Sequence, residues 1–204
     1  MATSRTQIAN QALSRLGARQ ISDIDDPNDP NAIRIANIYS VAFDEIARSH
    51  TWNCLTKRAD LAASATAPAF GFEYAYPLPS DFIRLISLNG YTYSNQREDF
   101  YSIEGRSILT NASEAKIVYI SRIESTQVNT LDALFVSAFV VLLASKLASL
   151  IKQDEQISQA LLREYLNVAL PQAMRVNATE KFKRQWNRRI KGLIWESRYG
   201  KDSV

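Results

Sequence analysis

The residues best suited to chemistry lie together in the first third of the chain. His50 is the single histidine and Cys54 the single cysteine among 204 residues. Four residues apart on a helix, an imidazole and a thiol can meet and form an activated nucleophile. No second His or Cys is present to complete a soft metal site. We expect a packed or surface histidine and a small buried cysteine, with no catalytic residue and no metal.

Carboxylates cluster in a polar connector, residues 21–31, which contains Asp23, Asp25, Asp26 and Asp29. The connector lacks the glycine and the final glutamate of a helix–loop–helix calcium site, so a solvated turn is the favoured interpretation. The six glycines are dispersed and form no phosphate-binding loop. We therefore predict no cofactor and no enzyme. A cell-wall hydrolase is a distant hypothesis, because the sequence singles out no carboxylate pair.

The C-terminal segment, residues 179–204, combines aromatic and basic side chains. Residues 180–204 hold eight basic and three acidic residues, which leaves 16 basic and 18 acidic residues in the rest of the chain. A helical wheel separates an apolar face from a basic one. The segment would be marginal alone, because helix nucleation is costly and Gly192 subtracts about 1 kcal/mol relative to alanine. We expect it to become ordered on a partner.

Three interpretations of this segment remain open. It can pack on its own domain, dock on a partner protein, or bind nucleic acid or an anionic membrane. Salt separates the last two, since phosphate contacts weaken steeply with salt whereas apolar burial does not. Docking on a protein is favoured, through Phe182, Arg184, Trp186, Arg188, Arg189, Ile190, Leu193, Ile194 and Trp195.

The elements before residue 60 are predicted to be helices. Apolar residues recur on one face of residues 4–16, and Gly17 is placed to end that helix. Asp29 and Pro30 form a strong start for a second helix, with the aspartate as cap and the proline in the first turn. We expect this helix to continue to about Trp52.

The middle of the chain has the period of β-strands. Aromatic residues alternate with small or polar ones over residues 70–76, and further strands are predicted at 82–88 and 116–123. Residues 101–103 and 108–110 flank a Glu-Gly-Arg-Ser turn and predict a hairpin. We interpret this region as an antiparallel insertion between helices.

Two more helices are predicted after the strands. Thr130 is expected to cap a third helix that runs to about residue 151 and is apolar nearly all round. Such a stretch is long enough to span a membrane, but Asp132 and Lys146 interrupt it and favour a buried core helix. A fourth helix is expected over residues 155–170, with an apolar stripe that includes Leu166, before Pro171 bends or ends it.

Together these elements predict an α+β fold. It is mainly a helical bundle of about four helices, with an antiparallel β-rich insertion and a C-terminal amphipathic helical extension. The expected divisions are 1–58 with 130–178 for the bundle, 59–129 for the insertion and 179–204 for the extension. A single cysteine and a polar N-terminus favour assembly in a cytoplasm, with no membrane span.

The middle third also carries a family resemblance. The runs WNCLTKRADL at 52–61 and PAFGFEYAYPLPSDFIRL at 68–85 resemble the head-to-tail adaptor family of podoviruses, also called tail tubular protein A. Residues 8–17, 101–111 and 142–150 add to the likeness, which covers about residues 4–175. Residues 175–178 depart from the family pattern, because they lack the acidic residue expected there.

The resemblance implies a structural virion protein in the neck of a short-tailed phage. Copies would form a ring, expected to be a dodecamer, that joins the portal protein to the tail nozzle and passes DNA without sequence specificity. The ring would close the head after packaging, with tail fibres as a further partner. The C-terminal extension matches the position with which relatives grip the portal, and Tyr91, Tyr93 and Phe100 are expected to face the nozzle. The alternative is a DNA-binding module that uses the basic aromatic extension.

Overall fold

The computed structural model describes residues 4–92, 101–123 and 125–180. Over these ranges the chain is mixed α+β, with helices before and after the strands in sequence and with two antiparallel sheets. The α-helices are α1 (Arg5–Arg15), α2 (Pro30–Ser49), α3 (Ala133–Ile151), α4 (Glu155–Glu164) and α5 (Leu170–Thr179). The strands are β1 (Thr56–Leu61), β2 (Tyr74–Pro77), β3 (Phe82–Leu88), β4 (Tyr91–Thr92), β5 (Tyr101–Glu104), β6 (Ser107–Thr110) and β7 (Ala115–Ser121).

The first two helices begin where side chains cap them. Ser4 and Gln7 form a reciprocal capping box at the start of α1, and Asp29 accepts a hydrogen bond from the backbone of Asn31 at the start of α2. These starts confirm the sequence prediction. The predicted end of α2 at Trp52 is wrong, because His50 adopts an extended backbone and the helix ends at Ser49.

Helix α3 is in contact with each of the other four α-helices. It is capped by Asp132, whose carboxylate accepts hydrogen bonds from the backbone of Leu134 and Phe135. The prediction of Thr130 as the cap is wrong, since the 3₁₀ helix Ser125–Thr130 ends there. Helix α3 is the one described helix long and apolar enough to cross a membrane, yet 67% of its most apolar window is buried within the protein. That burial favours a core helix.

The helix predicted over residues 155–170 is divided rather than ended by its proline. A π-helical turn, Tyr165–Ala169, joins α4 to α5, and Pro171 lies in the first turn of α5. Proline has no N–H to donate to the preceding turn, and a π-turn changes the hydrogen-bonding pattern at that point without stopping the helix. The chain therefore stays helical up to Thr179.

The two sheets have strand orders β1-β7-β3-β4 and β2-β6-β5. The strands predicted near 82–88 and 116–123 and the 101–110 hairpin are confirmed, with Gly105 at a positive φ in the hairpin turn. The predicted strand at 70–76 is too long, because β2 begins at Tyr74 and Phe70 is 88% exposed. Strand β1 was not predicted from the sequence.

Two hydrophobic clusters stabilise these elements. The helical cluster holds the helices together with Ile83 and Ile120 of the four-stranded sheet, and edge-to-face aromatic pairs join α2 to α3. The β cluster lies between the two sheets and consists of Tyr76, Leu88, Ile108, Ala115, Ile117 and Tyr119. The four-stranded sheet thus contributes side chains to both clusters.

Candidate interaction surfaces

His50 and Cys54, which could meet if they shared one helix, are not arranged as a nucleophile and its base. His50 lies just after α2 and packs edge-to-face on Trp52, with ring centroids 5.1 Å apart. Cys54 lies in the 3₁₀ helix Asn53–Leu55, so the two residues do not share one helix. Burial raises the pKa of the Cys54 thiol, which keeps it protonated and weakly nucleophilic.

The acidic connector forms turns and ion pairs. Asp29 caps α2 and pairs with Arg19 at 2.7 Å, and Asp25 pairs with Arg5 at 3.4 Å. The carboxylate of Asp23 accepts a hydrogen bond from the backbone N–H of Asp25. Over residues 4–92, 101–123 and 125–180, no group of three or more His, Cys, Asp or Glu could hold a metal ion.

An open cavity of about 220 Å³ lies between α1, α2 and residues 122–128. Its walls are mainly apolar, with Tyr39, Phe43 and Val128 among the lining side chains. Arg5 lies 5.2 Å from the centre of the Tyr39 ring, and Arg122 is paired with Asp44. Burial raises the pKa of Tyr39 to about 12, so its hydroxyl stays protonated. A cavity with this lining is suited to binding an apolar side chain.

The end of α5 is fixed to the junction between α2 and β1 by Asn177. Its carboxamide oxygen accepts a hydrogen bond from the backbone N–H of Asn53 at 2.8 Å, and its amide nitrogen donates to the carbonyl of Thr51 at 3.0 Å. The Asn53 side chain in turn donates to the carbonyl of Asn177 and to the carboxylate of Glu180. The side chain of Asn177 is buried. This junction sets the point on the protein from which residues 181–204 continue.

The predicted docking residues themselves lie outside the described residues. These are Phe182, Arg184, Trp186, Arg188, Arg189, Ile190, Leu193, Ile194 and Trp195, together with Tyr93 and Phe100 of the expected nozzle-facing group. Tyr91 is described: it begins β4, pairs with Leu88 and is 52% exposed. Among the described strands, β4 is at the edge of the four-stranded sheet.

An exposed apolar patch on the last helices was not predicted from the sequence. Tyr165 is buried and Leu161 packs on the helical cluster, as the predicted stripe requires. Ile157 and Leu166, placed in the same stripe, are 38% and 53% exposed, so this part of the prediction is wrong; Leu166 follows the buried Tyr165 within the π-turn and points to another side of the helix. Further exposed apolar side chains on α4, the π-turn and α5 are Leu162, Val168 and Val176. We call these residues, with Ile157 and Leu166, the α4–α5 patch, as a name for the set and not for one continuous face.

Two arginines lie side by side at the junction of α2 and β3. Arg48 donates from Nη1 to the carbonyl of Ile83 at 2.6 Å, and Arg84 donates from Nη2 to the hydroxyl of Thr51 at 3.1 Å. Partial burial, with a smaller contribution from Arg48, lowers the pKa of Arg84. No sequence pattern predicts this pair, because 36 positions separate the two residues.

No protein-family model matches the chain, and no curated protein is significantly similar to it.

The described residues present exposed apolar side chains on α4 and α5, an edge strand, a small apolar cavity and an arginine pair. Apolar and arginine side chains of this kind are frequent anchors of protein interfaces. The exit of the basic segment beside the α2–β1 junction adds a further attachment point.

Proposed function

We propose that this protein is a structural component of a short-tailed bacteriophage. Copies would form the ring adaptor between the portal and the tail nozzle, through which DNA passes and which closes the head after packaging. The proposal includes the arrangement of the fold as a bundle of about four helices that carries a β-rich insertion and an amphipathic C-terminal extension. The protein would act in the virion neck after assembly in the host cytoplasm, without catalysis.

The proposal depends on the hydrogen bonds that hold the end of α5, where the C-terminal segment begins. Asn177 ties the end of α5 to the backbone of Thr51 and Asn53, so the start of the segment has a fixed position on a rigid junction. A docking helix that leaves a fixed point loses less freedom on binding than one on a free linker. Residues 181–204 hold eight basic and two acidic residues, and their apolar face needs a surface to cover.

The resemblance to podovirus adaptors supplies the identity of the partners. It rests on the Tyr-Pro-Leu-Pro-Ser-Asp-Phe core at 76–82 within a chain of matching order. In the described structure this core spans the end of β2 and the start of β3, the connection between the two sheets. The α4–α5 patch and the β4 edge provide surfaces that a ring of copies, a nozzle and tail fibres would use.

Deletion of residues 181–204 tests the docking role. We expect the truncated protein to keep its helical signal and melting temperature but to lose its association with the portal protein of the same phage, measured by co-sedimentation. A triple variant, Phe182→Ala with Trp186→Ala and Ile190→Ala, should lose association by at least tenfold, because aromatic anchors dominate such contacts. Normal portal binding by the truncated protein would refute the docking role.

A matched charge variant separates the DNA-binding alternative. Lys183→Gln with Lys191→Gln removes two basic charges outside the predicted docking residues and leaves the apolar face intact. If the segment docks on protein, this variant should bind portal within about threefold of wild type and the binding should vary little with salt. If the segment binds DNA, a mobility assay should show a shift at low salt that this variant weakens and that salt abolishes. A DNA shift without portal binding would replace the adaptor proposal.

A further inference from the structure

The Arg48–Arg84 pair holds two positive charges that the described protein does not neutralise. In the part of the chain that the structure describes, no carboxylate forms an ion pair with either guanidinium. Nε of Arg84 is buried and has no hydrogen-bond partner there. Glu180 continues the chain at the neighbouring α5 junction, where its carboxylate accepts a hydrogen bond from Asn53. Arg48 is exposed, whereas Arg84 is half-buried. A half-buried guanidinium without a counter-ion is unfavourable, and a carboxylate brought by a partner would relieve that cost.

The opposite end of α2 carries the complementary charge. Asp23 is exposed, Asp26 is half-buried, and each accepts one turn hydrogen bond through its side chain. No cation of the described residues pairs with either of them, whereas their neighbours Asp25 and Asp29 are paired with arginines. Two negative charges therefore face outward beside the start of α2.

The two charged groups cannot meet within one copy. Helix α2 has 20 residues and is about 30 Å long, so its two ends lie far apart. We propose that Arg48 and Arg84 of one copy bind Asp23 and Asp26 of the next copy, in a head-to-tail contact that repeats from copy to copy. A contact between two different patches of identical chains generates a ring when the rotation closes. This inference rests on the proposed function, because it supposes that copies assemble, and it names the charged contact that joins them.

Reciprocal charge reversal provides the test. One variant carries Arg48→Glu with Arg84→Glu, and a second carries Asp23→Lys with Asp26→Lys. In either variant alone, every contact between copies brings charges of the same sign together, so we expect assembly to weaken about 100-fold or more. In an equimolar mixture every contact between unlike variants is again attractive, and we expect assembly to recover to within about tenfold of wild type. Particle masses are measured by sedimentation or mass photometry, with and without portal protein.

Controls separate the contact from the fold and from the proposed function. Arg58→Glu with Asp60→Lys reverses an exposed pair on the four-stranded sheet and should leave assembly unchanged. Unchanged melting temperatures show that the reversed variants are folded, and the neutral Arg84→Gln variant should weaken assembly by a smaller factor. If wild type assembles but the mixture recovers nothing, or if a single variant assembles normally, the contact is wrong. If wild type assembles neither alone nor on portal, the adaptor function itself fails.

Discussion

The helical cluster and the β cluster are stabilised in different ways, although the four-stranded sheet contributes to both. The helical cluster is built around α3, which buries side chains on several faces, and around aromatic rings that meet edge to face. The β cluster is smaller and is bordered by half-buried tyrosines such as Tyr74 and Tyr101. Because a larger core buries more apolar surface per residue, we expect most of the free energy of unfolding to come from the helical cluster.

The two regions also differ in how they meet their surroundings. Near the helical cluster lie the arginine pair, the α4–α5 patch and the exit of the C-terminal segment. The β region presents the short edge strand β4, and its polar contacts are largely internal, such as the hydrogen bond from the Tyr119 hydroxyl to Asp81 at 3.0 Å. Most of the expected stability and most of the candidate association surfaces therefore lie in the helical region. A surface variant there must be tested for its melting temperature as well as for binding.

The largest expected effect is the loss of a ring from the middle of the helical cluster. Phe139 is fully buried and packs edge to face on Tyr39 at 5.1 Å and on Phe43 at 5.6 Å. Phe139→Ala should lower the free energy of unfolding by about 3–5 kcal/mol, measured by urea denaturation. Val41→Ala, at a position 63% exposed on α2, is the control and should change stability by less than about 0.5 kcal/mol. A loss below about 1 kcal/mol for Phe139→Ala would contradict the assigned role of the helical cluster.

A truncation in the β cluster should lower the free energy of unfolding by less. Ile108 of β6 is fully buried between the sheets, but several of its neighbours are only partly buried and can shift to fill the space. Ile108→Ala should therefore lower the free energy of unfolding by about 2–3 kcal/mol, at the lower end for buried isoleucine. Ile103→Ala, in the partner strand and 42% exposed, serves as the control. An effect of Ile108→Ala as large as that of Phe139→Ala would mean that the two clusters contribute equally.

The difference between the regions also explains what the sequence could predict. Helix starts depend on residues within one turn, so the sequence predicts the cap at Asp29 and a first helix that starts near Ser4, and the structure confirms both. The predicted end of α2 is too late, because no glycine or proline follows Ser49 to indicate it. The chain leaves the helix after Ser49 and buries Trp52. Strand β1 was missed because its alternation is weak, with Lys57 and Arg58 both exposed, and its pairing with β7 is distant in sequence.

The candidate surfaces were harder to predict than the fold. The docking residues from Phe182 to Trp195 stay a prediction, since they lie outside the described residues. The arginine pair depends on a tertiary contact between the end of α2 and β3, and no periodicity records such a contact. The exposure of Leu166 follows from its position one residue after the buried Tyr165, within the π-turn Tyr165–Ala169.

Asn177 joins the end of α5 to the junction between α2 and the first strand of the four-stranded sheet. The buried side chain of Asn177 satisfies the backbone of both Thr51 and Asn53, so Asn177→Ala should leave polar groups unsatisfied and lower the free energy of unfolding by about 2 kcal/mol. Asn177→Asp keeps the acceptor for the Asn53 N–H but cannot donate to Thr51, and its effect should be intermediate. Amide hydrogen exchange at Asn53 should speed up in the alanine variant. Unchanged exchange there would show that the α5 end is fixed by packing alone.

The smallest expected effect concerns the polar start of α2, at the border of the helical cluster. The hydrogen bond from the backbone N–H of Asn31, assisted by Arg19, holds the pKa of Asp29 below its usual value. The carboxylate form is thus favoured in the folded protein, and its stabilising effect is present above about pH 4 and disappears as the pH falls through the folded pKa. Asp29→Ala should lower the Tm by about 2–4 °C at neutral pH, whereas Asp29→Asn, which can still cap the helix, should lower it less. The Tm of wild type minus the Tm of Asp29→Asn, followed by circular dichroism from neutral pH downward, should decrease below about pH 4. A constant difference across that range would mean that the charge of Asp29 adds nothing to the cap.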